Sequence, residues 1–93
     1  EDRKNVAGRL PEVSLGLMAN DSSPAVRRII AERMSPEDAV SLIQDEDWVV
    51  RYTVALKVDC NELGVLANDL EPDVREVVQA RLHPTTQSEE NND

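Results

Sequence analysis

The chain repeats itself at an interval of 24 residues. Two charged columns keep this interval, one of aspartates and one of arginines: Asp21, Asp45 and Asp69, and Arg3, Arg27, Arg51 and Arg75. Five apolar columns keep it too: Leu15/Ala39/Leu63, Met18/Leu42/Leu66, Val26/Val50/Val74, Ile30/Val54/Val78 and Met34/Val58/Leu82. A fixed short period is the signature of a stacked repeat protein. Such a stack mostly offers surfaces to partners rather than pockets to substrates.

The period divides the chain into units within a single domain. A half unit at 1–10 forms the N-terminal cap, full units follow at 11–34, 35–58 and 59–82, and an acidic tail without apolar residues at 83–93 is predicted to be disordered. Each unit holds two helical segments, and the second is a long α-helix, predicted roughly at 24–34, 48–58 and 72–82. Ser23-Pro24, Asp47 and Glu71-Pro72 provide the helix starts.

The first segment of each unit is shorter, and both α and 3₁₀ geometry are open for it. Ser35-Pro36 is typical of a capped start. Gly16 and Gly64 share one column and weaken these segments as isolated helices, so tertiary packing must hold them. No segment alternates like a half-buried strand. The sequence therefore predicts an all-α solenoid of two-helix repeats.

Composition restricts the function. Hydrophobic residues make up 40% and aromatic residues 2% of the chain, which suits thin stacked layers. The net charge of −9 argues against binding nucleic acid or an anionic membrane. Cys60 is the single cysteine, so an internal disulfide and a multi-cysteine metal site are excluded. With no signal peptide or membrane-spanning segment visible, we expect a soluble, cytoplasmic protein without a cofactor. The start at Glu1, in mid-repeat, suggests either a trimmed chain or a piece of a longer protein.

The pattern Ser-Pro-Glu-x-Ala-x-x-Leu-Ile-x-Asp-x-x-x-x-Val-Arg-x-x-Val-Ala at 35–55 resembles the leucine-rich repeat variant family, whose 24-residue helical repeats are similar in style to HEAT repeats. The same frame runs through nearly all of 3–82. The resemblance implies a right-handed superhelix in which long α-helices alternate with short, often 3₁₀, helices. Some members carry an iron–sulfur cluster in a cysteine-rich segment, which Cys60 alone does not supply. The family offers no settled activity.

Three aspartates and three arginines form a candidate structural ladder: Asp21, Asp45, Asp69, Arg27, Arg51 and Arg75. Stacked carboxylates can bind a metal or act as acid and base. We favour ion pairs instead, formed within one repeat or between adjacent repeats. The resemblance to HEAT-like repeats implies such a ladder between an Asp and an Arg six residues apart, and each aspartate here keeps that spacing. A second basic column, Arg9, Arg33, Lys57 and Arg81, lies near the ends of the long helices, where cations bond the last carbonyls. The alternative is a positive stripe for an acidic peptide.

The best functional candidate breaks the period. Trp48, Tyr52 and Leu56 share one face of the middle long helix, with Val49 beside them, where both neighbouring repeats are mostly polar. Aromatic residues in an apolar island are typical partner-binding anchors, for another protein or for self-association. The alternatives are local packing, or a structural segment of a larger protein that covers this stripe. No triad-like or zinc-like constellation surrounds His83, the single histidine, so we predict a non-catalytic interaction module and not an enzyme.

Overall fold

Every element of secondary structure in the described chain is helical. The computed structural model describes residues 2–84, and no strand occurs among them. The elements follow one another as α1 Asp2–Arg9, η1 Glu12–Met18, α2 Pro24–Arg33, α3 Pro36–Ala39, η2 Val40–Leu42, α4 Trp48–Lys57, η3 Cys60–Leu66 and α5 Pro72–Leu82, where η denotes a 3₁₀-helix. A membrane span needs more length and more apolar character than any helix within residues 2–84 has. The predicted disordered tail lies outside the described residues, apart from its first two positions.

The long helices lie where their caps predict. The Ser23 hydroxyl accepts a hydrogen bond from the Val26 N–H at 3.4 Å, and the Asp47 carboxylate accepts one from the Val50 N–H at 3.1 Å. Both bonds satisfy amides that the first helical turn leaves without partners. Glu71 differs, because its side chain makes no capping bond, and α5 begins with Pro72 alone as its start signal.

The short segments use the two geometries that the sequence left open. In η1 the Ser14 N–H donates to the Pro11 carbonyl at 2.8 Å, which is a 3₁₀ turn. In the middle unit the Ser35 hydroxyl accepts from the Asp38 N–H, and the Ala39 N–H reaches the Ser35 carbonyl at 2.9 Å. This side-chain cap stabilises one α-turn, α3, before the segment continues as η2.

The long helices stack in chain order, α1 on α2, α2 on α4 and α4 on α5, to give a body of 53 × 25 × 22 Å. The core is a row of repeated positions between the layers. Six of its residues are at most 1% exposed: Val26, Val50, Val74, Ile30, Val54 and Val78. Leu82 departs from its column, since it is 37% exposed while Met34 and Val58 are buried. No further layer of the described chain packs beyond α5.

The two glycines in the short segments lie in open space. A Cβ added to Gly16 or Gly64 meets no atom within 4 Å, and the same column carries Val40 in the middle repeat. Neither glycine has a positive φ, so neither position needs a glycine for its backbone conformation.

We therefore expect Gly64→Ala to stabilise the protein by about 0.5–1 kcal/mol, because alanine lowers the conformational entropy of the unfolded chain at no steric cost. Thermal unfolding followed by circular dichroism measures the change. Gly16→Ala is the matched variant in the first repeat and should behave alike. A lower melting temperature in both variants would contradict the stated geometry.

Candidate functional site

The arginines of the ladder join successive repeats. Arg27 donates from Nε and Nη2 to the two Asp45 carboxylate oxygens, at 2.8 and 3.1 Å. Its Nη1 donates to the backbone carbonyl of Asp21, at 2.7 Å. Arg51 repeats this arrangement on Asp69, at 2.7 and 3.0 Å. The six-residue spacing thus leads to a backbone carbonyl, whereas the carboxylate partner lies 18 residues ahead, in the next repeat.

The aspartates of the ladder also hold the entrance to each long helix. The carboxylate of Asp45 accepts the Asp47 N–H at 2.8 Å, and that of Asp69 accepts the Glu71 N–H at 2.9 Å. Local bonds of this kind are typical of Asx turns. Arg75 ends the ladder, since it bonds the Asp69 carbonyl and has no carboxylate partner within residues 2–84. Among these residues no group of three or more His, Cys, Asp or Glu side chains could hold a metal.

Three of the four cations in the second basic column, Arg33, Lys57 and Arg81, bond carbonyls of the preceding repeat. Lys57 Nζ donates to the carbonyls of Ala31, Glu32 and Met34, at 2.8, 2.9 and 2.8 Å. Arg33 reaches back to α1 and Arg81 reaches back to α4 in the same way. These cations therefore complement the C-terminal end of the neighbouring helix rather than of their own. Their donors are used within the stack, which disfavours a free positive stripe.

A further ion pair closes one junction between long helices and is missing from the next. Arg28 on α2 donates from Nε and Nη2 to Asp47, with both distances at 2.9 Å. One repeat later the equivalent positions are Tyr52 and Glu71, which form no such pair. The Arg28–Asp47 ion pair therefore has no counterpart between α4 and the start of α5.

An open groove of about 570 Å³ lies between α4 and α5. It is lined by Trp48, Val49, Tyr52, Asp73, Glu76, Val77 and Ala80. The rings of Trp48 and Tyr52 meet edge to face, with centroids 6.1 Å apart and planes at 85°. Trp48 is 38% exposed, whereas Tyr52 is half-buried and packs partly on the core. The groove thus has an aromatic wall on one helix and a mixed wall on the other.

Only three of the four residues of the candidate stripe belong to the groove. Trp48, Val49 and Tyr52 line the groove, but Leu56 does not and is 53% exposed beyond it. Sequence reasoning missed the wall that α5 supplies. The signal for it was the pair Arg28 and Asp47, whose equivalents one repeat later lack opposite charges.

The groove is apolar and negatively charged. Asp73 and Glu76 line it, and neither carboxylate has an ion-pair partner within the described part of the chain. Glu71 stands at the start of α5, and its side chain makes no capping bond. Such an arrangement is unlike the ladder, in which every aspartate is paired with an arginine.

The buried ladder pair should be costly to break. Arg27 and Asp45 have side chains only 9% and 7% exposed. We expect Arg27→Met to destabilise the protein by about 3 kcal/mol, because Asp45 is then a nearly buried charge without a partner. Arg75→Met is the control in the same column, and its cost should stay below about 1 kcal/mol because that arginine is exposed. Equal costs in chemical denaturation would contradict an inter-repeat role for Arg27.

Acid should weaken the stack through Asp69 and Asp47, two carboxylates that bond arginines of the preceding repeat. Burial raises the pKa of Asp69, but hydrogen bonds from Arg51 and the Glu71 N–H outweigh it and hold that pKa below its usual value. The Arg28 guanidinium lowers the pKa of Asp47. Because the folded pKa values lie below the unfolded value of about 3.9, the unfolded chain takes up protons first as the pH falls.

The free energy of unfolding should therefore be constant above about pH 5 and fall below about pH 4. Asp69→Asn should be less stable at pH 7 but should lose less on acidification. Urea unfolding at both pH values measures this. Glu37→Gln is the control, because it removes an exposed carboxylate that forms no ion pair within residues 2–84, and it should keep the wild-type pH dependence. An unchanged acid dependence in Asp69→Asn would refute the assignment.

One solved structure is closely similar to this one. It is described as a leucine-rich repeat variant with a novel repetitive protein structural motif, and it matches with 43% sequence identity and a TM-score of 0.78. The match covers 85% of this chain and 34% of that protein, so the chain spans about a third of its length. No family model and no curated protein matches the chain.

The likeness is one of sequence and of backbone fold together, since the identity of 43% and the TM-score of 0.78 belong to the same match. The resemblance of this chain to the leucine-rich repeat variant family, inferred from its repeated motif, is thereby confirmed.

Proposed function

We propose that this chain is a non-catalytic protein-interaction module that binds a segment of another protein in the groove between α4 and α5. The observation that carries the proposal is an open apolar groove with Trp48 and Tyr52 on one wall. Tryptophan and tyrosine are frequent hot-spot residues, because they bury much area at little entropic cost. A groove of this size accommodates a few side chains of an extended or helical segment.

The rest of the surface supports this assignment. The repeated charged columns are used to join layers, so the irregular position is the one left for a partner. The solved leucine-rich repeat variant is a repeat protein, and repeat stacks commonly present binding surfaces. A right-handed, HEAT-like superhelix and a cytoplasmic location are the further expectations that belong to this proposal.

A second candidate is a purely structural role. The solved relative is about three times as long as the part matched here. In a longer stack the groove would be covered by another segment of the same protein, and Trp48 would then be an internal contact. The two candidates differ in whether Trp48 is open to solutes and to added ligands.

The test is Trp48→Ala, with Leu70→Ala as the matched control. Leu70 is 92% exposed and lies outside the groove. Trp48→Ala should cost about 1–2 kcal/mol, less than the 3–5 kcal/mol of a fully buried tryptophan, because the residue is already 38% exposed. It should nevertheless abolish capture of the proteins that the wild-type chain and Leu70→Ala retain from a lysate.

Acrylamide quenching of the single tryptophan supplies the independent readout. We expect strong quenching in the free chain and protection by the captured partner. A destabilisation of more than about 3 kcal/mol by Trp48→Ala would assign this residue to the core. If wild type, Trp48→Ala and Leu70→Ala captured the same proteins equally well, the groove would not be the binding site.

A further inference from the structure

The groove lies at the position that an arginine side chain closes one repeat earlier. Between α2 and α4, Arg28 lies across the junction and forms a two-bond fork on Asp47. Between α4 and α5 the equivalent of Arg28 is Tyr52 and the equivalent of Asp47 is Glu71. The acidic member of the ion pair is therefore retained as Glu71, whereas the arginine is replaced by the aromatic ring of Tyr52.

No arginine or lysine side chain of residues 2–84 forms an ion pair with the carboxylates that remain. Asp73 and Glu76 line the groove, and Glu71 begins the same helix. None of these three carboxylates takes part in a side-chain ion pair within residues 2–84. In the same range, four arginines are each paired with an aspartate. Negative charge at the start of α5 is favourable for the helix dipole, but carboxylates beside an apolar groove still attract a cation.

We propose that the groove selects a protein segment carrying an arginine next to apolar residues, and that this arginine supplies the guanidinium missing from the α4–α5 junction. This inference rests on the proposed function of the groove. The guanidinium plane stacks on the ring of Trp48 or Tyr52 and donates to Asp73 or Glu76. The apolar neighbours of the arginine fill the space over Val49, Val77 and Ala80.

Arginine fits this site better than lysine. A guanidinium is planar, stacks on aromatic faces and donates two parallel hydrogen bonds to one carboxylate, whereas an ammonium is a strongly hydrated point charge. Arg28 on Asp47 is an example of that fork inside the same molecule. Overall charge acts in the same direction, because the chain carries a net charge of −9 and attracts basic segments at long range.

The experiment is a selection from a random 12-residue peptide library, displayed on phage, against the complete 93-residue chain. The same library is selected in parallel against three variants of the chain. Trp48→Ala removes the aromatic wall, Asp73→Asn/Glu76→Gln removes the two groove charges, and Glu37→Gln/Asp38→Asn removes two charges from the exposed short-helix side. Circular dichroism melting establishes that each variant is folded.

The proposal expects peptides that bind wild type in a Trp48-dependent manner and are enriched in arginine beside apolar residues. The groove-charge variant should bind them about tenfold or more weakly, while Glu37→Gln/Asp38→Asn should bind them within about twofold of wild type. Titration of the Trp48 fluorescence gives the affinities. Replacing the peptide arginine by citrulline, which keeps the shape and removes the charge, should cause the same loss on unaltered wild-type protein.

Three results would overturn the proposal in distinguishable ways. Trp48-dependent peptides without arginine enrichment, or with citrulline tolerated, would refute the cation preference and leave the groove as a binding site. An absence of Trp48-dependent peptides would refute the proposed function as well. Concentration-dependent association of the wild-type chain that Trp48→Ala abolishes and that peptides do not compete would identify a second copy of this chain as the occupant instead.

Discussion

The rest of the structure depends on the arginine that bridges one repeat to the next. Arg27 bonds a carbonyl of its own loop and both carboxylate oxygens of Asp45, which in turn holds the N–H of Asp47 at the start of α4. One guanidinium therefore fixes the distance and orientation between two loops and, through them, between two helices. The valine-rich layers beneath supply most of the stabilisation, at about 1.5–3 kcal/mol for each buried side chain. Apolar contacts of this kind tolerate small rotations, which a bidentate fork does not.

The two inner long helices, α2 and α4, are held in two directions. Near the start of each helix an arginine such as Arg51 points forward to the next repeat, and near its end a cation such as Lys57 points back to the carbonyls of the previous one. These two rows of contacts lie at opposite ends of the helices. The space between α4 and α5 is thus spanned at the Arg51–Asp69 loop and at Arg81, which reaches back to α4, and it remains open between them. A groove held in this way is preformed, which would lower the entropic cost of the binding proposed for it.

The sequence was sufficient for the helices and the core, because a 24-residue period assigns the same environment to each column. It was insufficient for the ladder partners. In a 24-residue period, an aspartate that lies six residues before one arginine also lies 18 residues after the arginine of the previous repeat. Asp45, for example, lies before Arg51 and after Arg27 in this way. Both pairings are therefore compatible with the same sequence. Only the three-dimensional stack resolves them, with the backbone of Asp21 on the near side of Arg27 and the side chain of Asp45 on the far side.

The groove was harder to predict than the ladder, for a reason that follows from the repeat itself. A repeat position that carries the same kind of residue in every layer makes the contacts between layers. A binding site is therefore expected at positions where one layer carries a different kind of residue from its neighbours. Trp48 and Tyr52 revealed one such difference, but along a single helix they predict a stripe that includes Leu56. The cavity itself also needs a second wall, which Asp73, Glu76, Val77 and Ala80 of the next layer supply and which the aromatic residues alone do not predict. In a stack of near-identical layers, function is therefore found by comparing junctions rather than individual helices.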